Sequence, residues 1–339
     1  MASWSSVRRP PLIVTRTPMR VSFAGGGTDL PAFYERDYGA VLSSAIDKYI
    51  WVTVKRHSEV FDEPVRVNYS LTEQVDTIDE LKNDITRAAL QFLDIDPPIY
   101  ISTVGDLPAS TGLGSSSAFA VGLLNALHRY RGDRVSAGQL AEEACHIEID
   151  ILGQPIGRQD QYAAAFGGLN LFTFRPGGSV TVEPQSLPVR VLSQLFESMM
   201  LFWTGHQRDS SSVLTEQQKN VGRHVADLTA IRDQAFELQG ILRQSPTARD
   251  IGQLVHRGWL LKRGLASSVS NAEIDAWYER AMAGGACGGK IAGAGNGGFL
   301  LMIAEPESRA AVRQALSELT EVDVRPEVHG SQILLPLSD

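Results

Sequence analysis

Cysteine is nearly absent, with Cys145 and Cys287 the only two in 339 residues. Neither lies in a CxxC pair, so the chain predicts neither a zinc site nor a disulfide framework, and two buried free thiols are expected. Long apolar runs are missing as well: no stretch approaches the ~20 residues that a membrane-spanning helix needs. The opening MASWSSVRRPPLIV has a basic pair but lacks the apolar core of a signal peptide. No membrane association is therefore expected, the cytoplasm is the expected location, and residues before Leu12 read as a disordered lead-in. Nor is there a surplus of positive charge. Lys and Arg number 31 against 39 Asp and Glu, a net charge of −8, which argues against a nucleic-acid partner yet leaves room for a local basic pocket around a small anion. Repeats, low-complexity tracts and long linkers are also lacking.

Glycine, by contrast, is clustered. Gly25-Gly26-Gly27 follows the strand-like Arg20–Ala24, and Gly112 and Gly114 stand among Ser110, Thr111, Ser115, Ser116 and Ser117. A third run, Gly293–Gly298, joins two apolar segments. The middle cluster, between the predicted strand Ile99–Val104 and a helix through Leu127, carries the strongest signal. Glycines let a backbone approach a ligand closely, and free amides at a helix N-terminus attract anions. Serines before an apolar run also cap helices, but three serines with two glycines exceed what a cap needs. The loop reads as a phosphate cradle, though not as the usual P-loop, because no Lys follows its last glycine.

Elsewhere, Leu12–Val14 is predicted as a short strand that Thr17-Pro18 breaks. Ala40–Ile46 and Tyr49–Val54 are predicted as a hairpin about Asp47-Lys48. Helices are predicted over 77–93 and 136–150, with Ser136 as N-cap, and strands over 169–174 and 180–184. In the second half the pattern gives a strand over 199–203 and helices over 212–239, 248–267, 271–284 and 307–319. Strands at 290–292 and 299–304 flank the third loop, and short strands near 322–326 and 333–335 end the chain. At 339 residues with 43% of them hydrophobic, the chain has room for one large or two medium domains, and a boundary near Pro188 would divide it into 12–188 and 189–339.

The three loops, in this order and with these neighbours, resemble the three signature motifs of the GHMP kinase superfamily. Pro18-Met19-Arg20 with Gly25–Asp29 matches the first, Pro108–Ser117 the second and Lys290–Gly298 the third. Within the superfamily, AGGGTDLPAFY, PIGRQDQYAAAFGGLN and TGHQRDSSSVLTEQQKN are most similar to the D-glycero-D-manno-heptose 7-phosphate kinases. The resemblance implies a two-domain α/β (α+β) kinase with its active site in the interdomain cleft. It further implies ATP and Mg²⁺ as cofactors and a small sugar phosphate as partner, phosphorylated on its anomeric hydroxyl to a 1,7-bisphosphate. A 1-kinase for a neutral sugar such as fucose, and a non-catalytic sugar or nucleotide sensor, are the alternatives. Both a monomer and a homo-oligomer are compatible with the chain.

The same resemblance implies residue roles. Asp160 would be the catalytic base or orienting group and Arg20 its partner facing the transferring phosphoryl. Pro108, Ser110, Thr111, Gly112, Leu113, Gly114, Ser115, Ser116 and Ser117 would bind the nucleotide, and Ser116 and Glu148 would hold Mg²⁺. Gly26, Gly27, Thr28, Asp29, Gln161, Gly295, Asn296 and Gly297 would meet the sugar. Arg208 and Lys290 would be the foremost cations for its phosphate, ahead of Arg16 and Arg158. Gly27, where galactokinases carry His, argues against galactose, and Asn296 departs from the family's usual glycine. Trp51 and Tyr69 are candidates for the adenine wall.

Overall fold

The computed structural model describes residues 12–207 and 210–335; the predicted lead-in before Leu12 and the side chain of Arg208 lie outside them. Twelve strands fall into two sheets among these residues. β1 (Ile13–Ala24), β2 (Gly39–Arg56), β3 (Val65–Asn68), β4 (Thr72–Val75), β5 (Ile99–Gly105), β6 (Leu169–Phe174) and β7 (Val180–Pro184) belong to the first. β8 (Met199–Trp203), β9 (Ala286–Ile291), β10 (Phe299–Ala304) and β11 (Thr320–Glu321) form the second, in the order β11-β8-β10-β9. The last strand, β12 (Gln332–Leu335), returns to the first sheet and pairs with β1, giving the order β12-β1-β2-β5-β3-β4 with β6 and β7 branching from β2.

β2 is one strand of 18 residues, not the expected hairpin. Pro18 of β1 pairs with Tyr49 but Met19 with Ile46, so Asp47 and Lys48 are accommodated as a bulge. The bulge is fixed from outside, because the Asp47 amide donates to Arg325 O at 3.0 Å and the Arg325 amide donates to Asp47 Oδ1 at 2.7 Å. β1 likewise runs unbroken through Pro18, which sits at this irregularity, where strand prolines are tolerated.

The helices are α1 (Pro31–Tyr34), α2 (Asp84–Phe92), α3 (Ser115–Arg131), α4 (Ala137–Cys145), α5 (Gln159–Phe166), α6 (Val189–Ser198), α7 (Ser210–Asn220), α8 (Val225–Leu242), α9 (Ala248–Arg263), α10 (Ala272–Ala283) and α11 (Arg309–Ala315). The expected helix over 77–93 starts late. Glu73 accepts hydrogen bonds from the amides of Lys82 and Asn83, leaving Leu81 extended, and Asn83 then caps α2 by accepting from the Thr86 amide at 2.9 Å. The helix expected over 212–239 is divided at 221–223, and α6 lies where the sequence pattern predicts no helix. α4 starts at the predicted Ser136 cap but widens after Cys145 into a π-helical turn, His146–Ile151, whose Leu152 amide reaches back to Ile147 O at 3.0 Å. Such turns recur at functional sites, and this one carries Glu148.

One core joins the two sheets. β10 is buried along its whole length: Phe299, Leu301 and Ile303 enter the core shared with Val21, Phe23 and Leu254. Leu300, Met302 and Ala304 face a second cluster around Trp259 and Trp277. Alternate side chains of a strand face opposite ways, so this single strand ties both apolar clusters together. The cysteines are unpaired as expected; Cys145 is buried and Cys287 is half-buried. No helix among the described residues is long and apolar enough to cross a membrane.

Candidate active site

A cleft of about 390 Å³ opens between the halves of the chain. The N-terminal half contributes Arg20, the first glycine loop, the serine loop, Glu148 and the start of α5. The C-terminal half contributes Ser211, Leu214 and Gln217 of α7, Lys262 of α9 and the loop between β9 and β10.

The serine loop ends on Gly114 in the left-handed conformation, which serves as N-cap of α3 without any capping side chain. Ser115, Ser116 and Ser117 therefore present the helix N-terminus directly to the cleft, where an anion is favoured. Ser110, Gly112 and Gly114 also line it. Thr111 and Leu113 are instead wholly buried, Leu113 in the core, and Pro108 is exposed outside the cleft, so these three shape the loop without facing its contents. The second and third loops meet backbone to backbone. A Cβ on Gly112 would stand 2.6 Å from Ala292 O, and one on Gly293 would stand 2.5 Å from Gly112 Cα, so only glycines permit this approach.

Arg20 and Asp160 form a bidentate pair, Nε to Oδ1 at 2.8 Å and Nη2 to Oδ2 at 2.7 Å, while Arg20 Nη1 donates to Gly112 O at 2.6 Å. Such forks fix orientation as well as charge. Asp160 lies in the first turn of α5, and its carboxylate comes within 3.3 Å of where a Cβ on Gly114 would be. The pair thus borders the N-terminus of α3.

Glu148, on the π-helical turn, is buried beside that N-terminus. Its Oε1 accepts from the Ser116 hydroxyl at 2.8 Å and its Oε2 from the Gln161 amide at 2.7 Å. Burial pushes its carboxyl up to about 7, against the hydrogen bonds from the serines and Gln161 and with a smaller push from Asp160. Asp29 is also buried, within range of the Asp160 charge. It accepts from the Gly27 amide at 3.0 Å and from Gln159 Nε2 at 3.1 Å. Burial, then the Asp160 charge, raises its pKa. Gly157 packs so tightly here that a Cβ on it would fall 1.9 Å from Asp29 Oδ2.

Several expected contacts are not made. The Thr28 hydroxyl turns away to Gly25 O and Ala40 O. Gln161 holds Glu148 and does not line the cleft, whereas its neighbour Gln159 does. Gly295 and Gly297 line the cleft, but Asn296 adopts a positive φ of 65°, bonds through its amide to Val269 O at 2.8 Å and is not part of the lining. Lys290 does not line the cleft either. Its ammonium crosses to Ser22 Oγ and Phe23 O, each at 3.4 Å, as a strut between the sheets, and burial depresses its pKa well below the usual lysine range. Arg16 is bound to Gln332 and Glu327, and Arg158 to Glu142 and Gly178 O. Trp51 bonds Asp106 and Tyr69 bonds Glu73, both away from the cleft.

Among the cleft residues outside the expected set are Gln159, Gln217 and Lys262. The Gln159 Oε1 and Gln217 Nε2 atoms are buried without a hydrogen-bond partner among the described residues. Lys262 donates to Gly293 O, and burial, with the Arg20 charge, lowers its pKa to about 8. Gln217 belongs to a segment that carries the family resemblance; Lys262 lies in an ordinary amphipathic helix, where nothing local marks it.

Residues 81–168 match the family described as GHMP kinases N terminal domain, and residues 226–321 match GHMP kinases C terminal, together more than half of the chain. Over 315 residues the chain is 29% identical to the D-glycero-alpha-D-manno-heptose 7-phosphate kinase of Campylobacter jejuni, covering 90% of this chain and 93% of that one. It is 24% identical to the L-fucokinase/L-fucose-1-P guanylyltransferase of Bacteroides fragilis, across 89% of this chain and 36% of that longer protein. The crystal structure of a D-glycero-D-manno-heptose 1-phosphate kinase from Bacteroides thetaiotaomicron superimposes with a TM-score of 0.78 at 23% identity, covering 96% of this chain and 100% of the other.

Proposed function

Since the chain belongs to the GHMP kinase family and is a sugar kinase, we propose that it transfers the γ-phosphoryl group of ATP to the anomeric hydroxyl of D-glycero-D-manno-heptose 7-phosphate. The observation that carries this reading is the Arg20–Asp160 fork, which lines one cleft together with the open N-terminus of α3 and Asp29. The heptose phosphate is favoured by similarity along nearly the full length of the Campylobacter jejuni enzyme.

Phosphoryl transfer asks mainly for positioning and charge neutralisation. The α3 N-terminus and the serine loop would seat the nucleotide phosphates. Glu148 and the Ser116 hydroxyl are adjacent hard oxygen donors that suit Mg²⁺, an ion that takes few protein ligands and keeps water and phosphate oxygens. Mg²⁺ bound there would neutralise phosphate charge. Asp160, oriented by Arg20, would align the acceptor hydroxyl and receive its proton. Asp29 and Gln159 would read sugar hydroxyls, with Gln159 Oε1 as an acceptor whose own amide is already committed to Asp29. Gln159→Leu should raise the KM for the sugar about tenfold, the equivalent of one hydrogen bond of ~1.4 kcal/mol, while the KM for ATP stays within about twofold. An unchanged sugar KM would remove Gln159 from the acceptor site.

A second reading, a 1-kinase for a neutral sugar such as fucose, draws on the fucokinase relative and on one observation. Among the described residues lining the cleft the only cations are Arg20 and Lys262, and Arg208, our remaining candidate for the 7-phosphate, lies outside them. An ADP-release panel separates the two readings: kcat/KM for the heptose 7-phosphate should exceed that for fucose and galactose by at least about a hundredfold. A reversed preference would make the neutral sugar the acceptor.

A further inference from the structure

Lys262 lies in the last turn of α9 and is a buried residue lining the cleft. It donates to a neutral acceptor, Gly293 O, and among the described residues no carboxylate lies within ion-pairing distance. Charges surround it without touching: Arg20, Asp29 and Asp160 all act on it, and Lys290 lies close enough to be acted on by it. Three cations thus share this region with two carboxylates, and those two are occupied. Asp160 is taken by Arg20, and Asp29 by Gly27 and Gln159. A buried cation without an anionic partner costs folding free energy, so the arrangement is complementary to an anion that arrives later.

The position of Lys262 identifies that anion. Gly293, to which it is bonded, is the residue packed against Gly112 of the serine loop, and Gly112 also accepts from Arg20. Lys262 and Arg20 therefore reach the same part of the cleft from opposite halves of the chain, beside the α3 N-terminus and Asp160. We propose that Lys262 is a catalytic residue whose ammonium contacts the phosphoryl group in transit. The inference rests on the kinase reading above. In the step it serves, the acceptor oxygen forms a new bond to the γ-phosphorus. The bond from that phosphorus to the β,γ-bridging oxygen breaks, its electron pair leaving on ADP, and the hydroxyl proton passes to Asp160. Charge on the three equatorial oxygens is then met by Arg20 and Lys262, preorganised as electrostatic stabilisation requires.

The test is Lys262→Met, which keeps an unbranched side chain one atom shorter and removes its charge, compared with Lys262→Arg and wild type in the full chain. Steady-state kinetics would use ATP with heptose 7-phosphate, and melting would be followed without ligand. Lys262→Met should lower kcat by about 10²- to 10³-fold, the scale for loss of one preorganised donor, with both KM values within about threefold. Its ligand-free melting temperature should equal or exceed that of wild type, and Lys262→Arg should recover part of kcat. A kcat within threefold of wild type would overturn the assignment. So would a tenfold rise in KM for the phosphorylated sugar with kcat retained, which would make the acceptor's own phosphate the partner. A lower melting temperature in both variants, with no recovery by arginine, would leave Lys262 a structural strut and equally overturn it. Wild type serves as the control on the reading beneath: if it turns over sugar while Lys262→Met does too, only this inference fails. A wild type inert with every acceptor would remove both.

Discussion

Asp160→Asn should lower kcat by about 10²- to 10⁴-fold, the usual contribution of a positioned proton acceptor, with the KM for ATP changed by no more than a few fold. The substitution preserves size but replaces an anionic fork by an amide, and one of its two ends must then turn an NH₂ group toward the donors of Arg20. Arg20 is buried, and its guanidinium also holds Gly112 O, so the loss falls on both partners together. Arg20→Met should therefore be comparably damaging, and the double variant little worse than either single one, because residues that act as a unit are not additive. Circular dichroism and melting curves distinguish this from unfolding. A variant that is folded and retains more than a tenth of wild-type kcat would show that Asp160 neither takes the proton nor aligns the hydroxyl.

Glu148→Gln should have an equally large effect of opposite sign on activity and stability. As the carboxylate that would hold Mg²⁺, Glu148 is needed for turnover, and kcat/KM for ATP should fall by about a hundredfold or more, on the scale of other lost charge-stabilising groups. The same carboxyl is buried and pushed up to about 7 from an ordinary 4.5. Its folded-state pKa is raised, so its contribution to stability is intact below about pH 4.5 and is lost as pH rises through 7. Integrated over that window the loss approaches about 3 kcal/mol at pH 8 in the ligand-free protein. Glutamine can retain the bonds from Ser116 and donate where the carboxylate could not, and it carries no charge. The melting temperature of Glu148→Gln at pH 8 should exceed that of wild type by several degrees, with the gap closing toward pH 5. Mg²⁺ with a nucleotide should narrow the gap by stabilising wild type alone. Parallel melting curves for the two proteins from pH 5 to pH 8 would contradict the assignment of a costly buried charge.

The sequence was informative where chemistry is local. Three glycines in a row, a serine-flanked pair and a third glycine loop announce close backbone approaches by their residue types alone, and Gly112 against Gly293 bears this out. The helix starts at Ser136 and Asn271 were also legible, because a cap acts within three residues. Long-range pairing was harder to read. Asp47-Lys48 between two β-rich runs has the signature of a turn, yet the continuous β1 alongside holds β2 straight and absorbs the pair as a bulge. Leu81 and Lys82 fit a helical pattern, but capture of local amides by Glu73 delays the helix. The family pattern points to Gln161 as the glutamine that meets the sugar, but the π-helical turn brings Glu148 to the Gln161 amide, and it is Gln159 that lines the cleft. Lys262 could not be found by pattern, since only the packing of α9 against the third loop gives it a role; Lys290, beside that loop in sequence, points through the sheet instead.

The central claim concerns where the new phosphate goes. The protein should be incubated with ATP, Mg²⁺ and D-glycero-D-manno-heptose 7-phosphate, and the product examined by ³¹P NMR with coupling to the sugar protons. We expect one new phosphate resonance, coupled to the anomeric proton, appearing in step with ADP while the original phosphomonoester on carbon 7 persists. A new phosphate coupled to any other sugar position, or ADP formed without a phosphorylated heptose, would contradict the assignment of the anomeric hydroxyl to the space between Asp29 and Asp160.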